Sequence, residues 1–393
     1  MRVIDRRSDP VAFRAELREW LGRVVPPCWQ ERMTDASDED FSRFQRWWLA
    51  ELDAQGLATA HWPVEWGGEE LTIQEQVIIF EELARAKAPD LVMFTISLNH
   101  VPGTLAKWGT KEQIDRYIPG VRNGEVWCQG FSEPGAGSDL ASLRTRAVRD
   151  GDRYIVNGQK VWSSYGAYAD YYLLLARTDP DAPKHKGISC FIMDLKAPGV
   201  EVRPIRQMNG MNEFCEVFLD DVEIPAGNLI GPENEGWAVA QSTLSTERGL
   251  LIFALCERMN ILFEEQFASP DAARWMEDDQ LRREMMTCYA DMQAVRGLIH
   301  SMLADHNASE FPPIVKILYG ETLQRFSEMW TRIDGLDAMV ERPTFISSGY
   351  AKGNWMVDYL TSWTWTISGG SNEILRNVIA ERQLGLPREP SAR

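Results

Sequence analysis

Apolar positions in the first third of the chain recur at three- and four-residue spacing. In DPVAFRAELREWLGRVV, Phe13, Leu17, Trp20, Leu21 and Val24 fall on one face, and Asp9-Pro10 is a helix start signal. SDEDFSRFQRWWLAELDAQG and LTIQEQVIIFEELARAKAPD repeat the pattern, the second closing at Ala88-Pro89. GTKEQIDRYIPGVRNGE predicts a shorter helix ended by the turn residues Asn123-Gly124. From about Val126 to Gly231 the period changes to short β-rich runs. DRYIVNGQKVWSS carries Asn157-Gly158 between two strand-like pieces, which predicts a hairpin turn there. DYYLLLART, ISCFIMDL, VEVRPIR and CEVFLDDVEI predict further strands, and from Trp237 onward the helical period returns. The pattern predicts an α+β protein in three parts: an N-terminal helical domain over 1–122, a small β-sandwich or barrel over 123–235, and a C-terminal helical bundle over 236–393. No internal repeat or low-complexity tract is visible.

One segment breaks its own pattern. In STLSTERGLLIFALC, Leu244, Arg248, Leu251 and Leu255 share a helical face, yet Glu247 and Arg248 carry charge beside that apolar stripe. Charged residues are rarely fully buried. Either the pair sits at the edge of the stripe and reaches water, or it has a chemical task.

Composition narrows the classes. A 393-residue chain with 44% apolar and 25% charged residues suits a globular protein with substantial cores. A formal charge of −17 argues against general affinity for nucleic acid. Six scattered cysteines form no CxxC pair and no cluster with the five histidines, so they predict reduced core thiols and no metal set. No run approaches the roughly 18 apolar residues of a membrane span, and the N-terminus has no apolar leader. A cytoplasmic location is expected.

In FSEPGAGSDL, Gly135, Gly137 and Ser138 offer backbone N–H groups and a hydroxyl to phosphate oxygens, or else simply make a tight turn. The segment is no dinucleotide fingerprint, because no third glycine follows and no βαβ unit surrounds it. Taken further, SEPGAGSDLASLRTRAVRDGDRYIVNGQKVWSS together with GGSNEILRNVIAERQLGLP closely resembles the acyl-CoA dehydrogenases, over nearly the whole chain. The resemblance implies FAD. Phe131 and Ser132 match positions at the flavin edge. Gly137 and Ser138 match contacts to the pyrophosphate and nearby substrate groups. Trp162 matches an aromatic packed on the flavin, and Ser164 a hydroxyl, usually Thr, that donates to flavin N5. A donor aimed at N5 stabilises the charge developing there, and an indole beside the ring keeps water out. Ser371 falls among the cofactor-contacting positions, and Glu373 matches one near the adenosine.

The reaction implied is α,β-dehydrogenation of an acyl-CoA thioester, which needs a carboxylate base, best with a raised pKa. Many members place that glutamate just before the C-terminal motif. Here the matching residue in TISGGSNEILR is Gly369, whose N–H is left to hold the thioester carbonyl. Members similar to isovaleryl-CoA dehydrogenase carry the base on a helix instead, at the position of Glu247. Glu247 is therefore the expected base. Arg248 is assigned to the substrate side or to fixing the helix, and Glu373 is a weaker alternative base.

Two family motifs that reach a neighbouring subunit's FAD, R-x-x-F-G and Q-x-x-G-G-x-G, have no match in EEQFASPDAARWMEDDQLRREMM or IDGLDAMVERPTFISSGYAKG. That absence implies an α2β2 heterotetramer with a related chain, or a homo-oligomer using other contacts. An electron-transferring flavoprotein is the expected acceptor. A half-site or catalytically silent subunit, and a dioxygen-using oxidase on the same fold, are the alternatives.

Overall fold

The computed structural model describes residues 9–34, 36–246, 250–304, 311–340 and 354–388. The chain divides into two compact units that do not follow chain order. One holds residues 36–71 and 89–246; the other holds 9–34, 72–88 and 250–388.

The first unit is built on eight strands: β1 (Trp127–Gly130), β2 (Arg146–Asp150), β3 (Arg153–Ser164), β4 (Tyr171–Arg177), β5 (Ile188–Asp194), β6 (Val200–Ile205), β7 (Phe214–Pro225) and β8 (Leu229–Ile230). They form one hydrogen-bonded sheet in the order β6-β7-β3-β2-β4-β5-β8, with β1 added parallel to β4. Residues 172–176 of β4 are an unbroken apolar run buried throughout, as expected for a strand covered on both faces. The helix Gly236–Thr246 packs on β5, and Thr243 on it meets the Thr104 hydroxyl of helix Val101–Trp108 at 2.8 Å. A π-helical turn, Ile96–His100, leads into that second helix.

The expected hairpin at Asn157-Gly158 is not there. β3 continues through both residues, and the turn that joins it to β2 lies at Gly151-Asp152 instead. Gly158 serves a different need. A Cβ on it would lie 2.4–2.7 Å from Thr145, and its φ is +155° at a register shift against β7. The glycine marks a close backbone approach and a bulge, a signal that Asn-Gly shares with tight turns.

The second unit is helical. Pro10–Val24 is capped by Asp9 and buries Phe13, Leu17, Trp20 and Leu21 of the predicted stripe, with Val24 half-buried at its end. Its core joins Leu250–Ala268, Asp279–Ala304, Phe311–Asp334 and Trp355–Ser362 through Phe263, Met292, Phe326, Trp330 and Trp355. Between the helices lies a polar cavity of about 330 Å³, lined by Arg14, Arg18, Glu81, Glu82, Glu257 and Arg296 among others. Burial alone would raise Glu82, but hydrogen bonds from Arg18 and Arg14 hold it below the usual carboxylate range. Glu257 lies beside Arg296, yet burial keeps it above that range. Arg14 and Arg18 pair with Glu82, and Arg296 with Glu257, so opposite charges meet at the cavity in an ionic seam between helices.

All six cysteines are free; five are buried and Cys28 is exposed, against the expectation of core thiols throughout. Among the described residues, no helix is long and apolar enough to cross a membrane.

Candidate active site

The segment Phe131–Ser138 leaves the end of β1 and closes a tight turn, in which Glu133 and Ala136 exchange backbone hydrogen bonds of 3.0 and 3.1 Å. Its first residues are tied to β3. The N–H of Val161 donates to the Ser132 carbonyl at 3.0 Å, and Lys160 Nζ donates to the Phe131 carbonyl at 3.1 Å. Lys160 is fully buried and also meets Glu133 Oε1 at 2.8 Å. Glu133 in turn accepts from the backbone N–H groups of Arg144 at 2.7 Å and Thr145 at 2.8 Å. Burial alone would raise Glu133, but the Lys160 charge and these donors hold it below the usual carboxylate range. Burial pushes Lys160 down to about 8 despite Glu133.

Two residues further on, β3 is irregular. Its register against β7 shifts between Lys160 and Ser163, and Trp162 sits at φ +64°. A tryptophan held in the left-handed region costs about 1–3 kcal/mol and persists only where its surroundings enforce it. Trp162 is 55% exposed, and its ring stands perpendicular to that of Phe214 with centroids 5.8 Å apart. It is no core tryptophan. Ser164, half-buried, pairs with Phe214 at the end of the strand. The tight turn also leaves room beside it. A Cβ on Gly135 or Gly137 would meet nothing within 4 Å, so packing inside the chain does not require either glycine. An open cradle, an exposed indole on strained backbone and a half-buried hydroxyl fit a large planar cofactor with a phosphate tail.

In the second unit, Gly369 and Gly370 have φ +64° and +94°, a backbone path that suits glycine and would strain a glutamate. The loop is pinned from below. Lys316, 3% exposed, donates from Nζ to the Gly370 carbonyl at 2.9 Å and to Asn372 Oδ1 at 3.0 Å. Asn372 passes the connection to Glu321, which Arg376 also grips. Ser371 caps the helix Asn372–Val378 with its hydroxyl. Glu373 is exposed, and its own backbone N–H, followed by the Ser371 hydroxyl, holds it below the usual carboxylate range. A solvated carboxylate of lowered pKa is a poor general base. Glu247 and Arg248 lie outside the described residues.

Comparison with known proteins decides the family. The descriptions "Acyl-CoA dehydrogenase" N-terminal, middle and C-terminal domain match residues 8–125, 128–222 and 234–384. The chain belongs to the acyl-CoA dehydrogenase family. It is 36% identical to acyl-CoA dehydrogenase IpdE1 of Mycolicibacterium smegmatis, over 96% of this chain and 98% of that one. Among solved structures, the Tcur3481-Tcur3483 steroid ACAD superposes with a TM-score of 0.83 at 34% identity, covering 97% of this chain and 99% of that one. The ChsE4-ChsE5 complex from Mycobacterium tuberculosis gives 0.78 at 29% identity, covering 98% and 100%. Acyl-CoA dehydrogenases are FAD-dependent oxidoreductases, and the cradle of Phe131–Ser138 with Trp162 and Ser164 suits that cofactor.

Sequence reasoning missed Glu133, Lys160 and Lys316. A signal existed for each lysine. Counting by two from Tyr154 and Val156 puts Lys160 on the inward face of β3, and Lys316 shares a helical face with Tyr319 and Leu323.

Proposed function

We propose that this acyl-CoA dehydrogenase introduces a double bond between the α- and β-carbons of an acyl-CoA, with Glu247 removing the α-proton. Bound FAD would supply the hydride acceptor for the β-carbon. Ser164 would be the hydroxyl that holds flavin N5, and Trp162 would cover the ring against water. The Gly369 N–H holds the thioester carbonyl, which makes the α-proton more acidic. Ser138 contributes on the pyrophosphate and substrate side, and Arg248 is assigned to the substrate side or to fixing the helix. The observation that carries this assignment is Gly369. Its left-handed backbone suits glycine at the position where many relatives have their base, so the carboxylate is supplied from elsewhere, and Glu247 occupies the alternative position.

The substrate class is proposed by analogy with relatives. A steroid ACAD superposes over nearly the whole chain, so a bulky steroid-derived acyl-CoA is the first choice. That structure and the ChsE4-ChsE5 complex each name two chains, and this chain lacks two motifs that reach a neighbour's FAD. We therefore assign it to an α2β2 assembly with a related chain, passing electrons to an electron-transferring flavoprotein. Glu247→Gln tests the base. Turnover should fall roughly 10²–10⁴-fold with flavin bands unchanged. Unchanged turnover would make the chain a silent partner. Full FAD in a homo-oligomer of the chain alone would overturn the heteromeric assignment.

A further inference from the structure

Lys160 is buried to the last atom in a strand, where a lysine is costly. Its ammonium spans two groups of one loop: the Glu133 carboxylate and the Phe131 carbonyl. Glu133 spends its other contacts on the backbone N–H groups of Arg144 and Thr145, just before β2. The pair thus fastens three segments at one point, and the Val161–Ser132 bond continues the seam toward Trp162. A core that needed only stability would be served as well by apolar side chains of the same volume. What the ionic pair adds is direction. It fixes where the Phe131 and Ser132 backbone sits relative to the bulge that presents Trp162.

We propose that Lys160 and Glu133 are positioning residues for FAD: they hold the Phe131–Ser138 loop in register with Trp162 and Ser164 so that one rigid surface meets the flavin. This inference rests on FAD binding by that loop and is independent of Glu247 as base.

Lys160→Met tests it, in whichever assembly gives the wild type its flavin bands, the chain alone or with its related partner. FAD affinity is titrated on protein shown by circular dichroism to be folded, and the flavin absorption envelope is recorded. FAD dissociation constants should rise at least about tenfold, with a blurred envelope. A folded variant with a lower melting temperature but FAD affinity within about twofold of wild type would overturn the proposal, leaving the pair a structural one. If Lys160→Met does not fold, Lys160→Gln, which keeps a shorter donor, is read against the same two limits. Loss of turnover in Glu247→Gln leaves FAD titration untouched, so failure of the base assignment and failure of this proposal are separable.

Discussion

Two buried lysines each hold a loop, one in each unit, and they do so on different terms. In the sheet-bearing unit Lys160 meets a carboxylate; in the helical unit Lys316 donates to a carbonyl and an amide oxygen. Removing Lys160 leaves the Glu133 charge buried, while removing Lys316 leaves the Gly370 carbonyl and the Asn372 amide oxygen short of a donor. Lys160→Met should cost about 3–5 kcal/mol in denaturant unfolding. A loss below about 1 kcal/mol would show that the two backbone donors satisfy Glu133 unaided. Lys316→Met should cost about 1–3 kcal/mol, with amide exchange in residues 368–372 accelerating first. Equal losses would erase the distinction.

Gly158 probes the same unit through shape. Ala at this position drives a methyl into Thr145, whose backbone and side chain lie 2.4–2.7 Å from the built Cβ. Gly158→Ala should cost about 1–3 kcal/mol by overpacking. If Asn157-Gly158 had been the turn that its sequence suggests, the methyl would have met only water. An unchanged melting temperature would contradict the close approach.

That position also shows where the sequence stops being legible. Element types were readable because each depends on neighbours within a few residues: the Asp9 cap, the Phe13–Leu21 stripe, the apolar run of β4. Asn157-Gly158 was misread because glycine answers two needs, and the one that applied involves Thr145 on a neighbouring segment. The anchoring partners were invisible for the same reason. Lys160 reaches back 27 and 29 residues and Lys316 forward 54 and 56, distances over which no periodicity speaks. The roles proposed for Phe131, Ser132, Trp162 and Ser164 come only from resemblance. The backbone of Trp162 is what the fold adds, since nothing in VWSSYG announces a left-handed tryptophan.

pH separates the two partners of the ionic pair. Lys160 in the folded chain is lowered from 10.5 to about 8. Between those values the unfolded chain keeps a proton that the folded chain has released, so this group raises stability as pH rises through that window. Glu133 is lowered, so its contribution is complete above its unfolded value near 4.5 and is lost as pH falls through the lower folded value. Unfolding free energies of wild type minus Lys160→Met, measured from pH 7 to 10, should therefore climb above about pH 8. A flat difference would place the Lys160 proton elsewhere.

The smallest expected change in folding is the most informative about the cofactor. Gly137 is exposed, and a Cβ there meets nothing within 4 Å. Gly137→Ala should therefore move the stability of the cofactor-free protein by no more than about 0.5 kcal/mol, as for an ordinary surface change. Gly158→Ala fills space that the chain itself occupies; Gly137→Ala fills space that the chain leaves open. If that space belongs to the FAD pyrophosphate, the methyl blocks backbone N–H groups from reaching phosphate oxygens, and FAD affinity falls while the melting temperature stays put. FAD titration beside thermal unfolding of the same sample reads both. Loss of affinity without loss of stability assigns the open cradle to the cofactor. Unchanged affinity would reduce FSEPGAGSDL to the tight turn that its hydrogen bonds already describe, and would move the phosphate contact to Ser132 and Ser138.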